Sequence, residues 1–435
     1  MKNLLKKILA IALTILIASC QLPNNTTILK AEKPVETKIK FENKKTNLNN
    51  YQSYVESRNL ETINYNKKKT KIALFLPFSG KNKDLGWQLF NAATLSLFDN
   101  DLNNDLELVL IDSKNTPQEA EKAFQEIIEQ KIKIVIGPIF SDLVKSIEEN
   151  AVKNGITIIS FSNNKDLIKS SITTNIFLAG FLPESEIDKI TSYALLKKKT
   201  NFAIIAPNNP YGVTIFKLFK TIVQSKDGNL VTSELYQPNN SRNIEKIAEK
   251  ITHFVYSNNK SNVKEKFDST NKQNSSYPQV IMIPESGKNL SKIIAAINKN
   301  NIDEREYQII STSSINDISS LNENNLNGVL FAAPENNKFL NFEKKYYQIF
   351  NHLPPRISSI AYDTVQSICE IMKKKSSQNL EFIDFSSYSK NGINGIDGMF
   401  RYLPNGFIQR NLAVLKINNG KIETVEEPVK KFLNY

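Results

Sequence analysis

Lys131 to Asn164 reads KIKIVIGPIFSDLVKSIEENAVKNGITIISFSNN, and no other stretch narrows the choice of fold so far. Ile132–Ile136 is a short, almost wholly apolar run stopped by Gly137-Pro138, the pattern of a parallel strand buried on both faces. Asp142–Asn154 then sets Val144, Ile147, Ala151 and Val152 on one face at helical spacing. Ser141 is placed to N-cap that helix, and Gly155 falls where a left-handed C-terminal residue is wanted. Ile156–Ile159 is a second β-branched run, closed by Ser160-Phe161-Ser162-Asn163. Together they predict one right-handed β-α-β unit with its two strands side by side. Groups past the carboxyl ends of such strands line the ligand crevice of open α/β sheets. Here they are Phe140, Ser141, Ser160 and Ser162, with neither acid nor base among them, which favours binding over reaction.

The N-terminus sets the compartment. Lys2, Lys6 and Lys7 precede the apolar run Ile8–Ile17, which is too short to span a bilayer. Ile17-Ala18-Ser19-Cys20 resembles a bacterial lipobox, so residues 1–19 are expected to be a signal peptide and Cys20 the lipidated mature N-terminus. Gln21 stands where an Asp would imply inner-membrane retention, which points to the outer membrane, facing the periplasm. Acyl chains contribute about 0.8 kcal/mol per buried CH₂, so the protein is held at a membrane without crossing it. The other cysteine, Cys369, lies in an apolar helical run and reads as a buried free thiol.

The net charge of +12 suggests nucleic acid until it is divided along the chain. Residues 1–20 hold +3 and residues 21–69 another +5, which leaves +4 on all of 70–435 and no basic stripe. A nucleic-acid partner is not supported. Residues 20–69, rich in Asn, Lys and Thr, read as the lipidated Cys and a disordered tether.

From residue 70 the pattern is β-α-β-α-β-α-β. Lys71–Leu76 is a buried-type strand ending in Pro77-Phe78-Ser79-Gly80, and Thr116-Pro117 is an N-cap followed by Pro at the first helical position. Beyond Gly180 the series restarts. Strands are predicted at Asn201–Ala206, Leu230–Tyr236, Val280–Pro284, Tyr307–Ser311 and Gly328–Ala332, with helices at Glu184–Leu196 and Ile244–Tyr256. Ser257–Tyr277 reads as a polar surface insertion. Helices at Asn341–Phe350 and Ser358–Lys374 follow, then a hairpin of Met399–Tyr402 and Asn411–Ile417 around Pro404-Asn405-Gly406. The expected class is therefore α/β, with two doubly wound parallel-sheet lobes. Crossovers are placed near Gly180, Pro334 and Gly395, grouping 70–180 with 335–395 and 181–334 with 396–435.

Over about Lys71–Ile417 this order resembles the type I periplasmic binding fold, the leucine/isoleucine/valine-binding kind. Several strings are similar to the lipoproteins called penicillin-binding protein activators. They are Leu76-Pro77-Phe78-Ser79-Gly80, Ile159-Ser160-Phe161-Ser162-Asn163, Gly180-Phe181-Leu182-Pro183 and Pro207-Asn208-Asn209-Pro210-Tyr211-Gly212. The closing run adds Pro354-Pro355-Arg356, Ala361-Tyr362-Asp363 and Gly395-Ile396-Asp397-Gly398-Met399-Phe400-Arg401. The resemblance implies a non-catalytic partner that activates a bifunctional peptidoglycan synthase in cell-wall synthesis. The alternative is a lipid-anchored receptor that delivers an amino acid, peptide or wall fragment to an ABC importer.

Amino-acid binders of this fold hold the ligand ammonium with an acid after a second-lobe strand. That position falls near Ser313, where no acid stands unless Glu285 substitutes. Ser79, Ser141, Ser160 and Ser162 are suited to bind a carboxylate or sugar hydroxyls, or else to cap helices and close turns. With Phe140 and Phe161 they form the candidate first wall of the cleft, and Tyr211 is a stacking surface or lobe packing. Asp397 and Arg401 are placed to pair across the third crossover, and Trp87 reads as lobe-edge packing. His253 and His352 each stand alone, and no CxxC, HExxH, Walker or GxSxG pattern occurs, so no catalytic residue, metal or cofactor is expected.

Overall fold

The computed structural model describes residues 69–101, 105–168, 175–238, 240–251, 278–299, 307–316, 318–374 and 385–432. Cys20, the tether, His253 and the Ser257–Tyr277 insertion lie outside them.

The first lobe is a parallel sheet in the order β2-β1-β3-β4-β5. Its strands are β1 (Thr70–Leu76), β2 (Leu106–Asp112), β3 (Ile134–Ile136), β4 (Thr157–Ser160) and β5 (Ile176–Leu178). The connecting helices are α1 (Lys83–Asn100), α2 (Pro117–Glu129) and α3 (Ser141–Lys153). Strand β1 explains the apolar run in which it is written. Ile72, Leu74 and Leu76 enter the core under α1, while Ala73 and Phe75 enter the core under α2, where Phe75 meets Phe124 edge-on at 5.8 Å. Full burial of each large side chain here contributes about 1.5–3 kcal/mol. Thr116 caps α2 as expected, accepting from the Glu119 amide and donating to its carboxylate at 2.7 Å. Ser141 does not cap α3. The extended residue ahead of the helix is Phe140, so Ser141 is already helical and its hydroxyl makes no cap. Gly155 does adopt the left-handed conformation, at φ +59°.

The second lobe holds a seven-stranded sheet in the order β15-β14-β10-β9-β8-β6-β7. Its parallel strands are β6 (Asn201–Pro207), β7 (Asn229–Tyr236), β8 (Val280–Met282), β9 (Gln308–Ser311) and β10 (Leu330–Ala333). Its helices are α4 (Pro183–Leu196), α5 (Pro210–Ser225), α6 (residues 241–251) and α7 (Gly287–Asn298).

The chain then returns to the first lobe. Helix α8 (Asn336–Phe350), which begins ahead of the expected Asn341, and α9 (Ser358–Lys374) supply Phe342, Tyr346, Ile360, Val365 and Ile368 to the core beneath α1. Cys369 lies in the same core, and burial pushes its thiol up to about 12. A three-stranded antiparallel sheet follows, of β11 (Ile393–Gly395), β12 (Gly398–Tyr402) and β13 (Ile408–Arg410).

The expected hairpin is therefore corrected. Tyr402 pairs with Ile408 around Pro404-Asn405-Gly406, and β14 (Ala413–Asn418) runs instead antiparallel to β10, with β15 (Lys421–Glu426) outside it. The reason is which core each strand feeds. Phe400, Tyr402 and Ile408 enter the first-lobe core, while Ala413, Leu415 and Ile417 enter a second-lobe core. The last passage between lobes thus lies at Asn411–Leu412 rather than near Gly395, and residues 396–410 belong with the first lobe.

Candidate functional site

In the first lobe the loops after β1 and β2 are tied to one another. The Asp112 carboxylate accepts from the amides of Phe78 and Lys114, each at 3.0 Å, and pairs with the Lys114 ammonium at 2.8 Å. Partial burial opposes its charge, but the hydrogen bonds from Lys114, Ser79 and Phe78 outweigh it and hold the carboxyl down at about 2. The Asn115 amide donates to the Ser79 carbonyl at 3.0 Å, and Lys114 reaches the Ser79 hydroxyl at 3.5 Å.

Two other expected wall residues hold their own loop closed. The buried Ser160 hydroxyl donates to the Pro138 carbonyl at 2.8 Å and accepts from the Ser162 amide at 3.0 Å. Ser162 accepts in turn from the Asn164 amide at 3.1 Å. Phe161 is buried in the core, and Phe140 is half-buried against the opposite side of the sheet. Trp87 is 45% exposed and stacks with Phe78 at 5.0 Å and Phe90 at 5.6 Å, an aromatic cluster beside the Ser79 loop.

The second wall is more open. Asn209 caps α5 by accepting from the Gly212 amide at 2.8 Å, which sets Tyr211 in the first turn. The Tyr211 hydroxyl lies 2.8 Å from that of Thr312, which lies 2.8 Å from that of Ser314. Burial pushes the Tyr211 phenol up, and the carboxylates of Glu186 and Glu285 push it the same way.

The acid that the sequence around Ser313 lacks is brought there from α4. Ser313 donates its amide to Glu186 at 3.0 Å and its hydroxyl at 2.6 Å. Burial pushes the Glu186 carboxyl up against both bonds. Glu285 accepts from the hydroxyl of Tyr236, and burial with this carboxylate pushes that phenol up. Sequence reasoning searched the strand-end loops and missed Glu186. Its signal was the pair Glu184 and Glu186 in a first helical turn, which reads as ordinary complement to the helix dipole.

Beside the crossover segments at Gly180 and Asn411 lies a charged hinge. Arg410 pairs with the buried Asp363 at 3.3 Å and reaches the Ala179 carbonyl at 3.4 Å. Asp363 also accepts from the Ile396 amide at 2.6 Å and the Asp397 amide at 3.3 Å. Burial, then the Asp397 carboxylate, push the Asp363 carboxyl up to about 7 against the pull of Arg410. Arg356 pairs with Asp397 at 2.7 Å, and Ser359 donates to the same carboxylate at 2.6 Å. Both guanidinium groups lie 5.3 Å from the Phe181 ring. Asp397 therefore does not pair with Arg401. The turn after β11 drops Asp397 onto the start of α9, while β12 carries Arg401 to Gln409 at 2.8 Å and over the Phe432 ring at 4.5 Å. His352 stands on the rings of Tyr346 and Phe350, away from these groups.

Solved structures share this architecture. A candidate branched-chain amino acid ABC transporter of Rhodospirillum rubrum matches with a TM-score of 0.68 at 16% identity, over 82% of this chain and 100% of its own. An ABC transporter substrate-binding protein of Sphaerobacter thermophilus gives 0.60 at 13% identity, over 83% and 98%. Another from Desulfitobacterium hafniense, in complex with Leu, gives 0.55 at 15% identity, over 82% and 100%. At these identities the likeness shows the fold. Among curated sequences, an uncharacterised protein of Rickettsia prowazekii is 28% identical over 242 residues, which span 56% of this chain and 60% of that relative. The family model described as periplasmic binding protein matches residues 69–421. With two parallel-sheet lobes joined by three crossovers, the chain belongs to the periplasmic binding protein family.

Proposed function

We propose that the protein is a solute receptor that holds a small polar ligand between its lobes for an ABC importer, anchored at the membrane by lipid on Cys20. The observation that carries this reading is the second wall, where Glu186 sits on Ser313 and Tyr211 on Thr312. An acid held at that place supplies the charge that a ligand ammonium needs when it leaves water, without which burial costs several kcal/mol. The ligand class is an amino acid, a short peptide or a wall fragment with a free amine. The exposed Tyr211 ring in the second lobe and the aromatic cluster around Phe78 in the first offer such a ligand apolar surface.

A second reading, activation of a bifunctional peptidoglycan synthase from the outer membrane, is favoured by the hinge. Two ion pairs on buried carboxylates, set within the first lobe beside the crossovers, suit a rigid surface for a protein partner. The strings behind that resemblance are less decisive than they look. Arg356, Asp363 and Asp397 all belong to the hinge, so likeness there reports a shared hinge rather than a shared partner.

Thermal melting of the full-length protein in detergent against amino acids and wall peptides separates the two readings. A true ligand at 100 times its Kd stabilises by about 2.7 kcal/mol. Glu186→Gln is expected to weaken an amine ligand at least tenfold, on the order of 1.4 kcal/mol. Flat melting curves, with stimulation of a purified synthase, would overturn the receptor reading in favour of the second.

A further inference from the structure

A groove of about 480 Å³ runs beside the hinge, between α4, α5 and the segment that follows β13. Its lining includes none of the cleft-wall residues Ser79, Glu186, Tyr211 and Ser313. Its size falls inside the range of about 300–1,000 Å³ usual for small-molecule sites.

Four charged side chains line it, and every one already has a counter-ion. Glu184 pairs with Lys165 at 3.0 Å, Asp188 with Lys226 at 2.9 Å, Lys189 with Glu426 at 2.6 Å and Arg410 with Asp363 at 3.3 Å. A ligand carrying net charge would have to break one of these pairs or enter unpaired. What the groove leaves open is neutral. The Ser185 and Ser192 hydroxyls line it, as does Gln409. Asn411 donates to the Val429 carbonyl at 2.7 Å, which directs its amide nitrogen to the tail and leaves its oxygen as an acceptor. An apolar strip of Leu218, Ile222, Leu412 and Val429 lies among these groups.

One buried donor sharpens the case. Arg410 is 9% exposed, two of its nitrogens are engaged with Asp363 and Ala179, and its Nε is buried without a hydrogen-bond partner. Buried polar groups in native proteins are ordinarily satisfied, so an acceptor entering the groove that draws Arg410 toward it would supply the partner this donor lacks.

We infer that this groove is a second ligand site, for a neutral, hydroxyl-rich molecule of mono- to disaccharide size. Such a ligand offers an acceptor to Arg410 Nε, hydroxyls to the serines and amides, and a C–H face to the apolar strip. Because Arg410 also holds Asp363 and Ala179, occupation of the groove bears directly on the crossovers.

The probe is N-acetylglucosamine, with N-acetylmuramic acid as its carboxylate-bearing counterpart, titrated into the full-length protein in detergent by calorimetry. Saturable binding of the neutral sugar is expected. Ser192→Trp, which fills the groove from α4, should weaken it at least tenfold, while Tyr211→Ala in the cleft should change it less than twofold. Should the tryptophan variant unfold, the Nε–H signal of Arg410 in arginine-labelled wild type is the second readout, and it must shift on titration. The inference is overturned if the neutral sugar does not saturate, if N-acetylmuramic acid binds more tightly, if Tyr211→Ala abolishes binding, or if the Arg410 signal stays still. Because the readouts separate groove from cleft, failure here leaves the receptor reading standing.

Discussion

At the hinge, Asp363 and Asp397 are fully buried, and each faces a guanidinium at 3.3 or 2.7 Å. At the second cleft wall Tyr211 is 44% exposed, and its hydroxyl lies 2.8 Å from that of Thr312. The first region fixes geometry with desolvated charge, and the second leaves the Tyr211 ring and Ser314 where water reaches them. Buried pairs gain little over apolar packing but cost much when one partner is removed, so they act as a specification of arrangement. A binding wall has the opposite need, capacity left over for a ligand, as at Glu186, where two bonds from Ser313 use about half of what a carboxylate can accept. Ser160 shows the consequence, because it is fully buried, donates to the Pro138 carbonyl and accepts from the Ser162 amide.

The largest effect should come from leaving one hinge charge alone. Measured above the pH at which Asp363 ionises, Arg410→Met strands its carboxylate and is expected to cost about 3–5 kcal/mol in urea unfolding. Adding Asp363→Asn, which removes the charge but keeps an oxygen for the Ile396 amide, should restore part of that loss, and a double variant no better than the single would break the contrast between hinge and wall. The same carboxylate sets a pH dependence. Its folded pKa of about 7 lies above the ordinary Asp value, so between roughly pH 4 and 7 the folded state keeps a proton that the unfolded chain has released. Stability should therefore fall as pH rises through that window and level off above it. Asp363→Asn should flatten the melting temperature across the same range.

A smaller effect tests the walls against each other. Strands β1 and β6 run into Pro77 and Pro207, and a Cβ at Gly86 or Gly212 would stand 2.0 Å from the carbonyl of the corresponding proline. Both lobes thus seat the helix after their first strand on a glycine. Gly86→Ala and Gly212→Ala should each destabilise by about 1–3 kcal/mol through overpacking. Only the second also moves Tyr211, so only it should weaken ligand binding out of proportion to its melting shift. Equal effects on binding would show that the first wall carries as much of the recognition as the second.

What the sequence made legible was local. The run around Ile134, the Thr116-Pro117 start and the left-handed Gly155 each follow from a few adjacent residues, so periodicity and capping chemistry reach them. The pairs that matter to the site are not local. Glu186 meets Ser313 across 127 positions and Arg410 meets Asp363 across 47, and nothing in either neighbourhood names its partner. The hairpin failed for a related reason. Asn411–Ile417 alternates like a hairpin arm, but which core its apolar face enters is decided by β10, which lies far upstream. Serines after strands were visible as hydroxyls, yet whether a hydroxyl is free depends on the loop closing over it.

The mildest test separates the cap from the wall it positions. Asn209 satisfies the Gly212 amide at the start of α5, and Asn209→Ala should cost about 1 kcal/mol in unfolding free energy. Because Pro210 still fixes the first helical residue, the helix should start at the same place. Tyr211 would then keep its contact with Thr312, and ligand affinity should change less than stability does. A fall in affinity several times larger than the cap's cost would mean that the second wall depends on the rigidity of this one turn. The distinction drawn between a fixed hinge and an adaptable cleft would then hold for the hinge alone.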